Sequence, residues 1–181
     1  MMKSYITLLR GINVGGRKKI KMDDLRQLLT QIGFEDVVTY IQSGNVVLKS
    51  NEKTLGVLEK MIATAIRNTY DFDVPILVKS KEEIQEILEN NPFDNAEDLE
   101  ANRIYFVLLG EVPRSDLVEA LMQETFANEK FSITDNCVYL CCDKGYGKAK
   151  CDNNFFERKL KVAATTRNYR TMTKLLEMSQ V

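Results

Sequence analysis

The stretch DVVTYIQSGNVVLK, residues 36–49, determines the architecture because two β-forming runs stand on either side of a tight turn. Residues 36–42 and 46–49 are rich in β-branched and aromatic side chains. Ser43, Gly44 and Asn45 between them are typical turn residues. The pattern predicts a β-hairpin of two antiparallel strands.

Outward from this hairpin, strand and helix signals alternate on both sides. An apolar run at 4–9 comes before it, and apolar residues then recur with helical spacing from 22 to 32. A second helical pattern covers 55–66, and VPILV (74–78) predicts a strand. The order β-α-β-β-α-β predicts a ferredoxin-like unit, in which two helices cover one face of a four-stranded antiparallel sheet.

The second half of the chain repeats most of this order. Ser80 and Glu83 form a capping box that opens a helix, and RIYFVLL (103–109) then predicts a strand. A helix, a hairpin that turns at Asp135-Asn136 and a further helix over 152–162 follow. A last helix is expected after a cap at Thr165, Thr166 or Asn168.

These elements predict an α+β fold of two ferredoxin-like (βαββαβ) subdomains, the second incomplete, with a C-terminal helix. The expected domains are a ferredoxin-like subdomain at 1–79, a connecting helix and acidic linker at 80–102, and a second subdomain with C-terminal helices at 103–181.

The composition restricts the chemistry open to the chain. Its 181 residues include no histidine, which excludes Ser-His-Asp triads, Cys-His pairs and His-ligated metals within one chain. The four cysteines, at 137, 141, 142 and 151, lack the paired spacing typical of zinc sites, so we expect reduced thiols and no metal. No apolar run reaches the roughly 20 residues that span a bilayer. We therefore expect a cytoplasmic protein with no membrane partner.

Charge is segregated along the chain although the net charge is only −1. Residues 1–22 contain six Lys or Arg and no acid, and residues 81–100 contain one Lys against eight acids. Residues 144–174 contain nine Lys or Arg against two acids. This segregation has two interpretations. The charged segments are only solvent-exposed faces, or the two basic segments bind an anion.

The glycine-rich stretch RGINVGGRKK, residues 10–19, is the first candidate site. It lacks the Walker ending, yet its glycines allow backbone N–H groups to point into one concavity beside the following helix N-terminus. Arg10, Asn13, Gly15, Gly16 and Arg17 are its candidate ligand-binding residues. The alternative is a flexible turn with a charged rim.

The predicted topology brings other polar residues to the same end of the sheet. We expect Gln42, Ser43 and Asn45 to meet the glycine-rich loop, and YDFD (70–73) to arrive there too. TTRNYR, residues 165–170, is a second candidate, where Thr166, Arg167 and Asn168 offer hydroxyl, guanidinium and amide groups to a phosphate. The alternative for this segment is plain helix capping with solvated arginines.

Three segments together carry a family resemblance: LLRGINVGGRKKIKM with TYIQSGNVVL at the front, and NNFFERKL with ATTRNYRTMTKLLEM at the back. The chain resembles the bacterial family catalogued as domain of unknown function 1697. The resemblance implies a two-subdomain α+β protein, no established activity and, at the back of the chain, a role for Arg158 beside Thr166, Arg167 and Asn168.

Three functions stay open from the sequence. The leading hypothesis is a pocket, formed by loop 10–19, hairpin 42–45 and segment 165–170, that binds a phosphate-bearing small molecule, nucleotide or nucleic acid. The second is an enzyme acting on a small anionic substrate, with Asp71 or Asp73 as base. The third is a protein-protein interaction module whose charged segments dock a partner.

Overall fold

The computed structural model describes residues 1–180, which form a mixed α/β chain with seven α-helices and two four-stranded antiparallel sheets. The chain divides into two compact units, Met1–Gln85 together with the residues from Lys174 onward, and Glu86–Thr173. A domain division at residues 79 and 103 stays a prediction. No helix within residues 1–180 combines the length and apolarity needed to cross a membrane.

The first unit contains the predicted hairpin and its flanking elements. Its elements are β1 (Lys3–Leu9), α1 (Met22–Gln31), β2 (Glu35–Tyr40), β3 (Asn45–Ser50), α2 (Leu55–Tyr70) and β4 (Ile76–Ser80), followed by α3 (Lys81–Glu89). The strand order is β2-β3-β1-β4, and each neighbouring pair is antiparallel. The predicted order of six elements is therefore confirmed.

The core of the first unit lies between its sheet and α1 and α2. The buried sheet residues that belong to it are Tyr5, Leu9, Val46, Leu48 and Val78, and the buried helix residues are Leu25, Leu29, Leu58, Ile62 and Ile66. Their spacing of two in the strands and of three or four in the helices puts each set on one face. Each fully buried aliphatic side chain contributes about 1.5–3 kcal/mol to folding.

The second unit has the same order of elements. It consists of α4 (Ala96–Glu100), β5 (Ile104–Leu109), α5 (Ser115–Met122), β6 (Glu129–Ile133), β7 (Cys137–Cys142), a short 3₁₀ turn (Tyr146–Lys148), α6 (Asn153–Leu160) and β8 (Ala164–Asn168), with α7 (Tyr169–Met178) after it. The strand order is β6-β7-β5-β8.

The prediction that the second unit is incomplete is wrong, because β8 supplies its fourth strand. Thr166 lies opposite Val107 in an antiparallel pair of β8 with β5. The threonines that were expected to cap a helix are β-branched, and they occupy strand positions instead. Of the three expected caps, Asn168 takes the role, since its Oδ1 accepts a hydrogen bond of 2.9 Å from the Thr171 N–H.

The ends of the central strands are held by matching backbone hydrogen bonds in the two units. In the first unit the Leu9 N–H donates to the Gly44 carbonyl and the Arg10 N–H donates to the Pro75 carbonyl. In the second unit the Leu109 N–H donates to the Asn136 carbonyl and the Gly110 N–H donates to the Ala163 carbonyl. Leu9 is therefore equivalent to Leu109, and the two units can be compared residue by residue.

Local signals in the sequence appear in the structure where they were expected. The capping box is confirmed, because the Ser80 N–H donates to Glu83 Oε2 at 2.8 Å and the Glu83 N–H donates to Ser80 Oγ at 3.1 Å.

The cysteines at 137, 141, 142 and 151 are buried free thiols. Burial raises the pKa of Cys142 and of Cys151 to about 12, so both thiols are protonated at neutral pH.

Candidate functional site

The glycine-rich loop folds into a small hairpin of its own rather than into an open cradle. The Arg17 N–H donates to the Val14 carbonyl at 3.0 Å, and the Asn13 N–H donates to the Lys18 carbonyl at 3.2 Å. The two residues at the tip, Gly15 and Gly16, have φ of +57° and +74°. Two consecutive positive φ angles are typical of a type I′ turn, which glycine adopts without steric cost.

The side chain of Asn13 fixes this loop against the β2–β3 turn. Its Nδ2 donates to the Ile20 carbonyl at 2.9 Å and to the Gln42 carbonyl at 2.8 Å. Its Oδ1 accepts a hydrogen bond of 2.9 Å from the Ile20 N–H. The predicted meeting of the glycine-rich loop with the QSGN turn is therefore confirmed, and a single amide joins the two.

Both ends of the loop are anchored in the core. Ile12 and Ile20 are buried, with exposed fractions of 1% and 2%, and they pack in the core of the first unit. This burial could not be predicted from the sequence, because the two isoleucines are eight residues apart and follow neither strand nor helix periodicity. Since both ends of the loop are fixed, the backbone that carries Arg17, Lys18 and Lys19 is held in place.

The β2–β3 turn is packed tightly against the end of β1. Gly44 has a φ of +79°, and a Cβ at this position would lie 2.5 Å from Leu9 Cβ. Asn45 is fully buried, and its Nδ2 donates to Ser43 Oγ at 2.9 Å and to the Tyr40 carbonyl at 3.2 Å. The side chains of Ser43 and Asn45 therefore stabilise this turn.

A hollow of about 470 Å³, hereafter the loop hollow, opens between the glycine-rich loop, the start of α1, the β2–β3 turn and the end of α2. Its lining consists of Asn13, Gly16, Lys19, Ile20, Lys21, Asp24, Gln42 and Tyr70. Three of the predicted site residues, Asn13, Gly16 and Gln42, are therefore brought together. Lys19, Lys21, Asp24 and Tyr70 were not named as ligand-binding residues, although Lys19 ends the glycine-rich stretch 10–19 and Tyr70 begins the YDFD segment.

The charges of the loop hollow are mixed. Lys19 and Lys21 are exposed, and neither forms an ion pair within the described part of the chain. Asp24 contributes a carboxylate to the same lining. Burial raises the pKa of Tyr70, and the charge of Asp24 raises it further, so the phenol is neutral and remains a hydrogen-bond donor at neutral pH.

The YDFD segment arrives at this end of the sheet, as predicted. Lys18 Nζ donates to the Asp73 carbonyl at 2.6 Å, which ties the basic loop to the segment. The Asp73 and Asp71 carboxylates lie 3.4 and 3.9 Å from the Arg67 guanidinium, and both side chains are exposed. Neither carboxylate lines the loop hollow, so nothing in this geometry marks Asp71 or Asp73 as a base.

The second candidate segment lies in β8 of the second unit. Side chains alternate along a strand, so Thr165 and Arg167 point to one face of the sheet and Thr166 to the other. Arg167 Nη1 donates to Thr165 Oγ1 and to the Thr166 carbonyl, both at 2.9 Å. Burial lowers the pKa of the Arg167 guanidinium to about 10. Both of these hydrogen bonds are to residues of β8 itself, so Arg167 stabilises the strand that contains it.

On the opposite face of β8, Thr166 belongs to a polar network. Its hydroxyl donates to Asn153 Oδ1 at 2.8 Å, and the Asn153 N–H donates to the Tyr146 hydroxyl oxygen at 2.9 Å. The Tyr146 ring stacks on Tyr105 with a centroid distance of 4.7 Å. These contacts join the 3₁₀ turn, the start of α6 and the sheet of the second unit.

Arg158 and Asn168 occupy two further positions in the second unit. Arg158 is exposed on α6, where its guanidinium lies 5.7 Å from the centroid of the Phe155 ring as a cation–π pair. Asn168 caps α7. The membership of segment 165–170 and Arg158 in the same pocket as loop 10–19 stays a prediction.

These features define a two-unit α/β protein whose first unit carries an anchored basic loop beside an open hollow. A family model described as "Protein of unknown function (DUF1697)" matches residues 2–139. The chain belongs to this family. The match ends before the NNFFERKL and TTRNYR segments, so the family model covers the loop hollow and leaves out the second candidate segment.

Among solved structures, the following is similar to this chain over nearly its whole length. It is the conserved bacterial protein SP0830 from Streptococcus pneumoniae, which is 28% identical with a TM-score of 0.75, and the alignment covers 99% of each chain. No curated protein sequence matches the chain significantly.

Proposed function

We propose that the protein binds a phosphate-bearing ligand, a nucleotide or a nucleic acid, at the loop hollow. The observation that carries the proposal is the pair of exposed lysines, Lys19 and Lys21, on the rim of a hollow whose base is fixed by Asn13. A preformed hollow with unneutralised cations attracts anions, because no rearrangement is needed before binding.

The length of the basic loop supports this proposal. The connection from β1 to α1 takes twelve residues, 10–21, whereas the equivalent connection from β5 to α5 takes five, 110–114. The fold can therefore connect the first strand of a unit to its first helix with fewer than half as many residues. Connecting segments longer than the fold requires are common sites of function.

We also infer that each unit is ferredoxin-like. The order β-α-β-β-α-β and the antiparallel strand order 2-3-1-4, repeated in the second unit, support this inference. In such a unit the connection after the first strand and the turn between the second and third strands lie at one end of the sheet. A cytoplasmic location stays a prediction.

A thermal-shift and direct-binding experiment tests the proposed function. The probes are tripolyphosphate, ATP and a twelve-nucleotide single-stranded oligonucleotide. A probe held at 100 times its dissociation constant should stabilise the protein by about 2.7 kcal/mol. Lys19→Gln combined with Lys21→Gln should abolish most of this shift.

The matched control removes the same charge from the same unit. Lys3 and Lys53 are exposed and lie outside the loop hollow, so Lys3→Gln combined with Lys53→Gln should leave the shift intact. The salt response gives a second readout. If two phosphate contacts are lost, the slope of log affinity against log salt should fall by about 1.4 for a single strand. Wild-type protein that binds none of the three probes contradicts the proposal.

A further inference from the structure

We propose that the loop hollow receives one nucleotide unit, with its base against Tyr70 and Gln42 and its phosphate beside Lys19 and Lys21. This inference rests on the proposed function and makes it more specific, because a site for phosphate alone needs only the cations. The two sources of such a unit are a free nucleotide and one residue of a single-stranded nucleic acid.

Tyr70 contributes an aromatic side chain to the lining of the loop hollow. It is the last residue of α2, and it packs against the core of the first unit as a partly buried side chain. Its ring stacks on Phe72 with a centroid distance of 5.8 Å and an interplanar angle of 26°. The contact with Phe72 restrains the ring, so a base can stack without first ordering a mobile side chain.

Gln42 and Asp24 supply the polar groups that a base or a sugar requires. The Gln42 backbone is fixed, because its carbonyl accepts the 2.8 Å hydrogen bond from Asn13 Nδ2. The Gln42 side chain is exposed, and among residues 1–180 it has no hydrogen-bond partner. A primary amide both donates and accepts, which suits the edge of a base, while the Asp24 carboxylate accepts from an amino or hydroxyl group.

Lys19 and Lys21 complete the set at the phosphate end. Lysine acts on phosphate as a point charge on a flexible stem, and two lysines on one rim tolerate either a terminal phosphate or a phosphodiester. The volume of about 470 Å³ falls in the range of small-ligand sites. The lining thus joins an aromatic face, an amide, a carboxylate and two cations, which corresponds to the parts of a nucleotide.

The experiment uses wild-type protein and two pairs of ligands: ATP and tripolyphosphate differ by the nucleoside, and oligothymidylate and an abasic strand differ by the base alone. ATP should bind at least about tenfold more tightly than tripolyphosphate, and a single-stranded oligothymidylate should bind at least about tenfold more tightly than an abasic strand of equal length. Affinities are measured by calorimetry for the small probes and by fluorescence anisotropy for the strands. ATP preference without strand binding identifies a free nucleotide, and the reverse identifies nucleic acid.

Variants locate the preference in the loop hollow. Tyr70→Leu should remove the preference for the base and keep the residual phosphate affinity, whereas Tyr70→Phe should keep both. Gln42→Ala, at an exposed turn position, gives the same test without touching the core and should reduce the affinity for ATP while the affinity for tripolyphosphate stays unchanged.

The outcomes separate this inference from the proposed function. If tripolyphosphate binds as tightly as ATP and the abasic strand as tightly as oligothymidylate, the nucleotide inference is wrong while phosphate binding stands. A base preference that survives both Tyr70→Leu and Gln42→Ala also overturns the inference. If no probe binds, both proposals fail.

Discussion

The two units share one order of elements and differ in which connection is long. In the first unit the long connection, residues 10–21, follows the first strand, and the connection from β3 to α2 takes only residues 51–54. In the second unit the connection after the first strand is residues 110–114, and residues 143–152 between β7 and α6 are the long one. Four or five residues are enough to connect a strand to a helix at either of these positions, so each long connection exceeds what the fold requires.

The two long connections are also built differently. In the first unit a single asparagine side chain, Asn13, joins the loop to the neighbouring turn, and buried isoleucines hold its two ends. In the second unit the network of Tyr146, Asn153 and Thr166 ties the connection to β8. The first leaves an open hollow with unpaired lysines. The proposed binding site is therefore the one in the first unit.

The largest effect is expected from Gly44→Ala. The added Cβ would lie 2.5 Å from Leu9 Cβ, and the φ of +79° strains any residue with a side chain. The substitution should lower the free energy of unfolding by about 3 kcal/mol or more. Urea denaturation measures the change.

A second glycine, Gly56, and the residue equivalent to Gly44 in the second unit provide comparisons for Gly44→Ala. Gly56 in α2 has a negative φ and open space where a methyl group would be added, so Gly56→Ala should be neutral or stabilising by up to about 1 kcal/mol. Asn136 of the second unit is equivalent to Gly44 of the first. The Leu109 N–H donates to the Asn136 carbonyl just as the Leu9 N–H donates to the Gly44 carbonyl. A small effect of Gly44→Ala would show that the first unit tolerates a side chain there as the second does.

Asn13→Gly should have the next largest effect. Glycine keeps the φ of +55° at this position and removes all three side-chain hydrogen bonds. The free energy of unfolding should fall by about 1–3 kcal/mol, and hydrogen exchange of the Ile20 N–H should accelerate.

Asn13→Asp is the companion variant, because it keeps the acceptor for the Ile20 N–H and loses both donors. It should destabilise the protein and slow exchange at Ile20 relative to Asn13→Gly. Unchanged exchange at Ile20 in the glycine variant would mean that the loop is held by its isoleucines alone.

Thr7→Val should stabilise the first unit by about 1–2 kcal/mol. Thr7 is fully buried, and its hydroxyl has no hydrogen-bond partner among the described residues. The equivalent position in the second unit is Val107, so the substitution makes the two cores alike. The increase is measured as a shift of the urea midpoint.

Thr39→Val is the matched control for Thr7→Val. Thr39 and Thr7 flank Val46 from opposite sides, and the Thr39 hydroxyl accepts a hydrogen bond from Arg26. The control should therefore cost about 1 kcal/mol. Destabilisation by Thr7→Val would mean that its hydroxyl is satisfied in solution.

The smallest effect is expected from Ile41→Asn. Ile41 has a φ of +51° in the β2–β3 turn, where a β-branched side chain is strained and half of this one is exposed. Asparagine tolerates this backbone region, so the variant should gain up to about 1 kcal/mol. Val38→Asn, an exposed position in the neighbouring strand, should lose stability instead.

Much of the fold could be predicted from local patterns, and the misses share a cause. Six of the seven helices and seven of the eight strands follow from periodicity, whereas α4 falls in the stretch expected to be an acidic linker. The Ser80–Glu83 capping box follows from two residues three apart. β8 was missed because Thr165 and Thr166 suit a helix cap as well as a strand. Pairing with β5, nearly sixty residues earlier, decides between the two.

The candidate site could be predicted in outline and only partly in its residues. The antiparallel topology was enough to expect the glycine-rich loop beside the β2–β3 turn. It was not enough to assign roles within them: Asn45 is buried in support of the turn, while Lys19 and Lys21 line the hollow. A short loop has no periodicity from which to read the direction of a side chain.

Local patterns in the sequence were enough to locate most strands, helices and turns, because hydrophobic spacing and capping act over a few residues. Composition alone excluded histidine chemistry, and the positions of Lys and Arg along the chain showed that cations gather after the first strand. Three features of the site emerged only from the packed chain: Asn13 joins two loops, Gly44 must lack a side chain, and Tyr70 lines the same hollow as the lysines. These features depend on contacts between residues about thirty to sixty positions apart, which form only when the sheet brings them together.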